Sequence, residues 1–336
     1  MKQMKSKGYS FFAAGMLMLC AACLVFVLSS CGSGKKETET NAVQSEPVKG
    51  DVISFTDDAG NEFSFAQPPK KTAVLFSSFA EIYVTAGGVV DVTVGESVER
   101  GFASEDAVLV DDGAGKVINN ELLIAQAPEL VIGSADIAAQ AESAELLNAA
   151  GIPAAVFRVE CFDDYLRVLD IFCRLTQNRE AYETYGVQIK SQIDALLSDA
   201  AEKQQQERSK RILFIRAGSS AKVTKAKTAE DHFAARMLSE LGCANIADDA
   251  SVLLEGISIE EIMMQNPDMV FISLMGNEEA ARSYIDTVLQ EETWQTLDAV
   301  KNGHVVFLPK DLFQFKPNAR WYEAYSYLYH IIYDET

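Results

Sequence analysis

The sequence predicts an α/β protein: two Rossmann-like lobes with parallel sheets, joined by one long backbone helix. Three observations lead there. First, residues 178–210 (NREAYETYGVQIKSQIDALLSDAAEKQQQERSK) place apolar side chains at Tyr182, Tyr185, Ile189, Ile193, Leu196, Leu197 and Ala200. Steps of three and four make one stripe on a helix. Arg179, Glu183, Lys190, Asp194 and Asp199 fall opposite, Asn178 is placed to cap the start, and no proline interrupts. Second, strand-like and helix-like patterns alternate on both sides of this run, as parallel-sheet units do. Third, a motif occurs once in each half. NELLIAQAPELVI (120–132) and IEEIMMQNPDMVF (259–271) each carry a glutamate, six residues, a proline, an acid and an apolar strand. At about 1.5 Å per residue the helix spans roughly 45 Å from Asn178 to Arg208. It is either a rigid strut between two lobes or one long surface helix on a single domain.

The division that follows is 1–30, 31–50, 51–177, 178–210 and 211–336. Residues 1–30 have Lys2, Lys5 and Lys7, no acids, and an apolar run from Phe11 to Leu28, followed by Leu28-Ser29-Ser30-Cys31-Gly32. This has the form of a lipoprotein signal peptide in which the Cys31 sulfur takes the lipid; the alternative is an uncleaved membrane helix. Residues 32–50 are polar and read as a flexible tether. In the first lobe, 52–66 is a hairpin about Asp57–Asn61, and Pro68-Pro69 ends it. Strands follow at 72–76, 92–95, 130–133 and 154–159. Helices begin at Ser77 and span 120–127, 136–149 and 163–175, with a loop over 96–102. The second lobe has strands at 211–216, 269–273 and 303–308 and helices at 229–241, 258–265, 278–290 and 319–333. A Gly/Ser/Lys-rich loop fills 217–227.

Composition narrows the function. The chain has 29 basic and 49 acidic residues, a net charge of −20. Without residues 1–30 it has 26 basic against 49 acidic residues, or −23. Nucleic-acid phosphates repel such a chain, so no nucleic-acid partner is expected. G-x-S-x-G, H-E-x-x-H and phosphate-cradling glycine loops are missing, so no enzyme chemistry and no cofactor are expected. His232, His304 and His330 fall on two helices and a strand start, which does not gather a metal site. Of the cysteines beyond Cys31, Cys161 and Cys173 either pair or remain buried thiols like Cys243.

Taken in order, the lipobox, FTDDAGNEFSF, TAVLFSSFAEIYVTAGG, the two E-x6-P-[DE] segments, LLNAAGIPAAVF, the long helix, MLSELGCANIAD and VKNGHVVFLP resemble the substrate-binding lipoproteins of ABC importers for siderophores, haem and cobalamin. The resemblance covers about residues 51–334. It implies a ligand cleft between lobes and a permease dimer with its ATPase as partner. It also implies one surface glutamate per lobe for docking, which here are Glu121 and Glu260. Cobalamin binders of this family show aromatics just before the two glutamate segments, where this chain has Gly115 and Leu254.

Loops at strand carboxyl ends line such clefts. They nominate Ser77, Ser78, Phe79, Arg100, Arg216, Phe313, Lys316 and Arg320 as ligand-binding residues. Phe102, Phe315, Trp321 and the Lys222, Lys225, Lys227 loop stand nearby. Arginines grip carboxylate or catecholate oxygens in pairs, so the expected ligand is a ferric-siderophore-type chelate. Haem or cobalamin is the alternative, although no tyrosine stands in these loops to ligate haem iron. An extracytoplasmic enzyme and an adhesion-type lipoprotein are further readings.

Overall fold

The computed structural model describes residues 52–112, 117–206 and 208–334. Cys31, the signal and tether expected at 1–30 and 31–50, and Gly115 lie outside the described residues. Among the described residues no helix is long and apolar enough to cross a membrane.

The chain opens with a hairpin of β1 (Ile53–Thr56) and β2 (Glu62–Phe65). The first lobe then runs β3 (Thr72–Val74), α1 (Ser77–Thr85), β4 (Val92–Thr93), α2 (Gly95–Glu99), β5 (Val108–Leu109), α3 (Asn120–Ala125), β6 (Leu130–Ser134), α4 (Ala138–Ala149), β7 (Ala154–Phe157) and α5 (Phe162–Leu175). Its five strands are parallel, in the order β5-β4-β3-β6-β7. The connecting helix comprises α6 (Arg179–Tyr182), a π turn over Glu183–Val187, and α7 (Gln188–Gln204). The second lobe runs β8 (Arg211–Ala217), β9 (Lys225–Ala226), α8 (Phe233–Glu240), β10 (Ala244–Asn245), α9 (Val252–Glu255), α10 (Ile259–Gln265), β11 (Met269–Leu274), α11 (Glu278–Leu289), α12 (Asp298–Lys301), β12 (Val305–Phe307), α13 (Lys310–Phe313) and α14 (Trp321–Tyr333). Its strands order β10-β8-β11-β12 in parallel, and β9 pairs antiparallel with β8. Strands β3, β6 and β11 are buried at every position, because helices cover both faces of each sheet.

The connecting helix departs from the expected stripe at its π turn. The Tyr165 hydroxyl donates to the Tyr185 carbonyl at 3.1 Å, and a side chain inserted into the ladder widens a turn. The extra residue shifts the phase, so Tyr185 points outward and Gly186 faces α5. A Cβ at Gly186 would lie 2.7 Å from Leu166 Cδ1, so this glycine sets how closely the helix approaches α5. Asn178 does cap the start, accepting the Ala181 N–H at 3.1 Å. The helix ends at Gln204, short of Arg208. The Gln204 side chain turns away from the axis to donate to Gly242 O. The loop expected over 96–102 begins as α2, anchored by Gly95 N–H on Asp111. Tertiary contact rather than periodicity makes this helix. The three described cysteines, Cys161, Cys173 and Cys243, are free thiols.

The repeated motif builds the same local structure twice. Ala127 and Asn266, each just before the proline, have φ of 49° and 41°. The following acid then turns back to the first strand of its lobe. Glu129 accepts the Lys70 N–H at 2.7 Å, and Asp268 accepts the Arg211 N–H at 2.8 Å. Their own N–H groups donate to Lys71 O and Arg211 O. The acids therefore register the two innermost strands of each sheet. Burial pushes the Asp268 carboxyl up, but its bonds from Arg208 and from Arg211 N–H outweigh this and hold it below the usual range. A depressed native carboxyl stabilises above the unfolded value and loses that contribution as pH falls through its own. Asp268→Ala is expected to lower stability by about 1–2 kcal/mol at neutral pH. The urea midpoint reads this, and the gap to the parent should narrow below about pH 4.

Candidate ligand-binding cleft

The carboxyl ends of the two sheets meet. From the first lobe come the start of α1 after β3, the α2 end at Arg100, and Glu160 after β7. From the second come Arg216 at the end of β8, Ser273 in β11, and the 313–320 segment after β12. Ser273 Oγ donates to Phe313 O at 3.1 Å, and Ser273 is the register partner of Arg216. The 313–320 segment therefore lies beside the end of β8.

Three side chains of that segment cross to the first lobe. Phe315 places its ring centroid 4.2 Å from the Arg100 guanidinium carbon. Lys316 Nζ reaches Glu160 at 2.9 Å. Asn318, 1% exposed with φ 50°, donates to Ser78 O at 3.1 Å and to Glu81 Oε2 at 2.8 Å. Asparagine tolerates the left-handed backbone that aims its amide there. A cavity of about 410 Å³ remains between the lobes, lined by Glu81, Arg100 and Phe102 on one side and Phe315, Lys316 and Arg320 on the other. A larger hollow of about 670 Å³ is lined by first-lobe residues alone, among them Val84, Asp91, Ser104 and Gln126.

The expected ligand residues sort clearly in this geometry. Arg100, Lys316 and Arg320 line the cavity. Ser77 is buried, accepting from Arg100 Nη1 at 3.0 Å and donating to Glu96. Ser78 is buried and offers only its carbonyl, to Asn318. Phe79 is 2% exposed and packs on Phe76 and Phe157. Phe313 is 1% exposed and Trp321 is fully buried. These aromatics form core, not cleft surface. They stand on the first turn of α1, at the end of α13 and at the head of α14, where the apolar face turns inward.

Charge pairing separates the cations further. Arg100 meets Glu81 at 3.0 Å. Burial pushes the Glu81 carboxyl up, while Asn318 and Arg100 pull it back. Arg320 binds Glu323 through two nitrogens at 2.7 Å and Asp311 at 2.9 Å. Lys227 pairs with Asp231 at 3.5 Å. Arg216 and Lys225 have no acidic partner among the described residues. The antiparallel register sets them directly opposite, so both side chains leave the same face of the sheet. Lys227, two residues on, leaves that face as well.

Sequence reasoning missed three members of this site. Glu81 and Glu160 hold cations in place. His232, expected within a helix, is instead the N-cap of α8, where Nδ1 accepts the Ala234 N–H at 3.2 Å. Its other nitrogen therefore carries the ring proton. Burial, then the like charges of Arg216, Lys316 and Lys227, holds His232 well below its usual pKa, so it stays neutral in this cationic corner. Asp231, which accepts the Thr228 N–H at 3.0 Å and delays the helix, was the available signal.

Residues 72–312 match the periplasmic binding protein family. The chain belongs to that family: it is an extracytoplasmic solute-binding protein and not an enzyme. No curated protein matches its sequence. Several solved structures share its fold. The siderophore-binding protein BauB, bound to ferric iron with two acinetobactin molecules, is 14% identical. That match covers 83% of this chain and 99% of BauB, with a TM-score of 0.65. Staphylococcus aureus SirA complexed with staphyloferrin B is 16% identical over 84% of this chain and 97% of SirA, with a TM-score of 0.61. The periplasmic haem-binding protein RhuT from Roseiflexus sp. RS-1 is 17% identical over 79% of this chain and 98% of RhuT, also at 0.61.

Because Arg216 has no acidic partner among the described residues and Arg320 is saturated by two acids, their removal should differ. Arg216→Ala is expected to weaken binding of an anionic ligand by about 1.5–3 kcal/mol, and Arg320→Ala by less than about 1 kcal/mol. Isothermal titration of the two variants with one anionic ferric chelate makes the comparison; equal losses would remove Arg216 from its assigned place.

Proposed function

We propose that this chain is the lipid-anchored receptor of an ABC importer. It captures a ferric-siderophore-type iron complex in the inter-lobe cleft and delivers it to a permease dimer driven by its ATPase. The observation that carries this reading is the Arg216–Lys225 pair. Like charges directly opposite across a strand pair are unfavourable. In a chain of net charge −20, two such cations without an acid are a place for a ligand's negative charge. The acinetobactin complex bound by BauB, the staphyloferrin B bound by SirA and the haem-binding character of RhuT support the same chemical class. The neutral, proton-bearing nitrogen of His232 adds a hydrogen-bond donor for an oxyanion.

In this reading the halves 51–177 and 211–336 act as the lobes about the 178–210 link. Cys31 carries the lipid that holds the receptor to the membrane. Glu121 and Glu260, both exposed, dock on the permease dimer. Their support is the repeat: equivalent glutamates on equivalent local structures fit a partner made of two equivalent subunits, and charge complementarity registers the pair.

Two experiments test this. Titration of the protein with ferric catecholate, hydroxamate and carboxylate complexes, haem and cobalamin is expected to give saturable binding of one iron-bearing class; cobalamin alone binding would redirect the reading. Reversing both Glu121→Arg and Glu260→Arg is expected to abolish uptake of that ligand with its affinity unchanged. Uptake at the parent rate would remove these residues from docking.

A further inference from the structure

The two halves of the cleft differ in kind. On the first-lobe side, the Arg100 guanidinium lies between two aromatic rings, Phe102 at 4.8 Å and Phe315 at 4.2 Å. Glu81 balances its charge. The result is a charge-balanced guanidinium with aromatic rings against it. On the second-lobe side, Arg216 and Lys225 do not line the cavity of about 410 Å³ itself; they stand at the end of β8 beside the 313–320 segment, with no acidic partner among the described residues.

Phe315 belongs to the second lobe but covers a first-lobe cation. Among the described residues it makes the only cation–π contact between lobes. It is half-buried and lines the cavity, so its ring is held less firmly than the core aromatics on either side of it. Its segment is also incompletely bonded: Gln314 Oε1 and Asn318 Oδ1 are buried without a hydrogen-bond partner. Buried acceptors left open are uncommon, and two of them at either end of the short 314–318 run mark a segment with another arrangement available to it. A guanidinium face takes any π-system of suitable size. A ligand ring can therefore occupy the position that Phe315 holds here.

We propose that the ligand carries a planar aromatic group that takes the place of Phe315 against Arg100, while its anionic oxygens face Arg216 and Lys225. The inference rests on the reading of the chain as a receptor for an iron complex and narrows it to chelates with both a π-face and anionic oxygens. Ferric catecholates meet this description, and so does haem with its carboxylates; aliphatic hydroxycarboxylate chelates lack the ring. Phe315 acts as a placeholder that the correct ligand displaces and a ringless one does not.

The test titrates the purified full chain with three probes: ferric 2,3-dihydroxybenzoate, haem and ferric citrate. One of the two ring-bearing probes is expected to bind at least tenfold more tightly than ferric citrate, and which of them does so identifies the source of the ring. Phe315→Ala is expected to tighten that probe three- to tenfold by removing the competitor, with Phe315→Leu intermediate and serving as the check that the segment still folds. Arg216→Met is expected to weaken it at least tenfold. Tightest binding of ferric citrate, or weaker binding of the ring-bearing probe by both Phe315 variants, overturns the inference and leaves the receptor reading intact. Silence from all three probes overturns the inference together with the iron-complex reading.

Discussion

Trp321 holds the two lobes together. It is fully buried, with its ring centroid 6.2 Å from that of Phe162 in the first lobe and 5.9 Å from that of Phe233 in the second. Around it runs one continuous core that takes in the inner faces of both sheets and the apolar faces of α7 and α14. Each sheet keeps a separate core only on its outer face. Separating the lobes would expose that shared core, at roughly 25 cal/mol for each Å² of apolar surface. The lobes therefore hold their relation closely, so the walls of the cleft are fixed relative to each other. Such preorganisation lowers the ordering cost of binding.

On that frame the electrostatics become selective. A strongly acidic chain has carboxylates to spare, and the cleft uses them. Glu81 answers Arg100, Glu160 answers Lys316, and Asp311 with Glu323 answers Arg320. Each pairing fixes the geometry of a long side chain while cancelling its charge. Arg216 and Lys225 stand outside this pattern, directly opposed on adjacent strands. Like charges opposed in this way repel one another. Neutral His232 beside them adds no further repulsion, because burial and its cationic neighbours keep the ring unprotonated.

Much of the fold was legible from periodicity. Fully buried strands such as Met269–Leu274 show as continuous apolar runs, and the Asn178 cap announced the connecting helix. The repeat around Glu121 and Glu260 was visible as spacing, but its cause was not: the acid after each proline registers a strand that is far away in sequence. Short elements such as β5, β10 and α2 carry too few residues for any period, and only their pairing partners make them. The candidate site was legible in part. Proximity to strand ends nominated Arg100, Arg216, Lys316 and Arg320, of which Arg100, Lys316 and Arg320 line the cavity between the lobes. It did not distinguish a paired cation from one without an acidic partner among the described residues, since pairing depends on side-chain geometry and, for Lys316, on an acid 156 residues away. Phe79 and Phe313 sit at such strand ends too, yet helix phase turns them into the core.

The shared core also orders events in time. Trp321, Tyr325, Leu328 and Ile332 all come from α14, so the inner faces of both sheets stay open until that helix arrives. Tyr329 and Tyr333 then tie it down, through Asp199 of the connecting helix and the Leu241 carbonyl. Local units form early in such a topology, but the contacts that join them span most of the sequence and form late. A chain arranged this way cannot complete its fold while its last helix is still being made. Until α14 is packed, each lobe carries an apolar inner face with no partner to cover it.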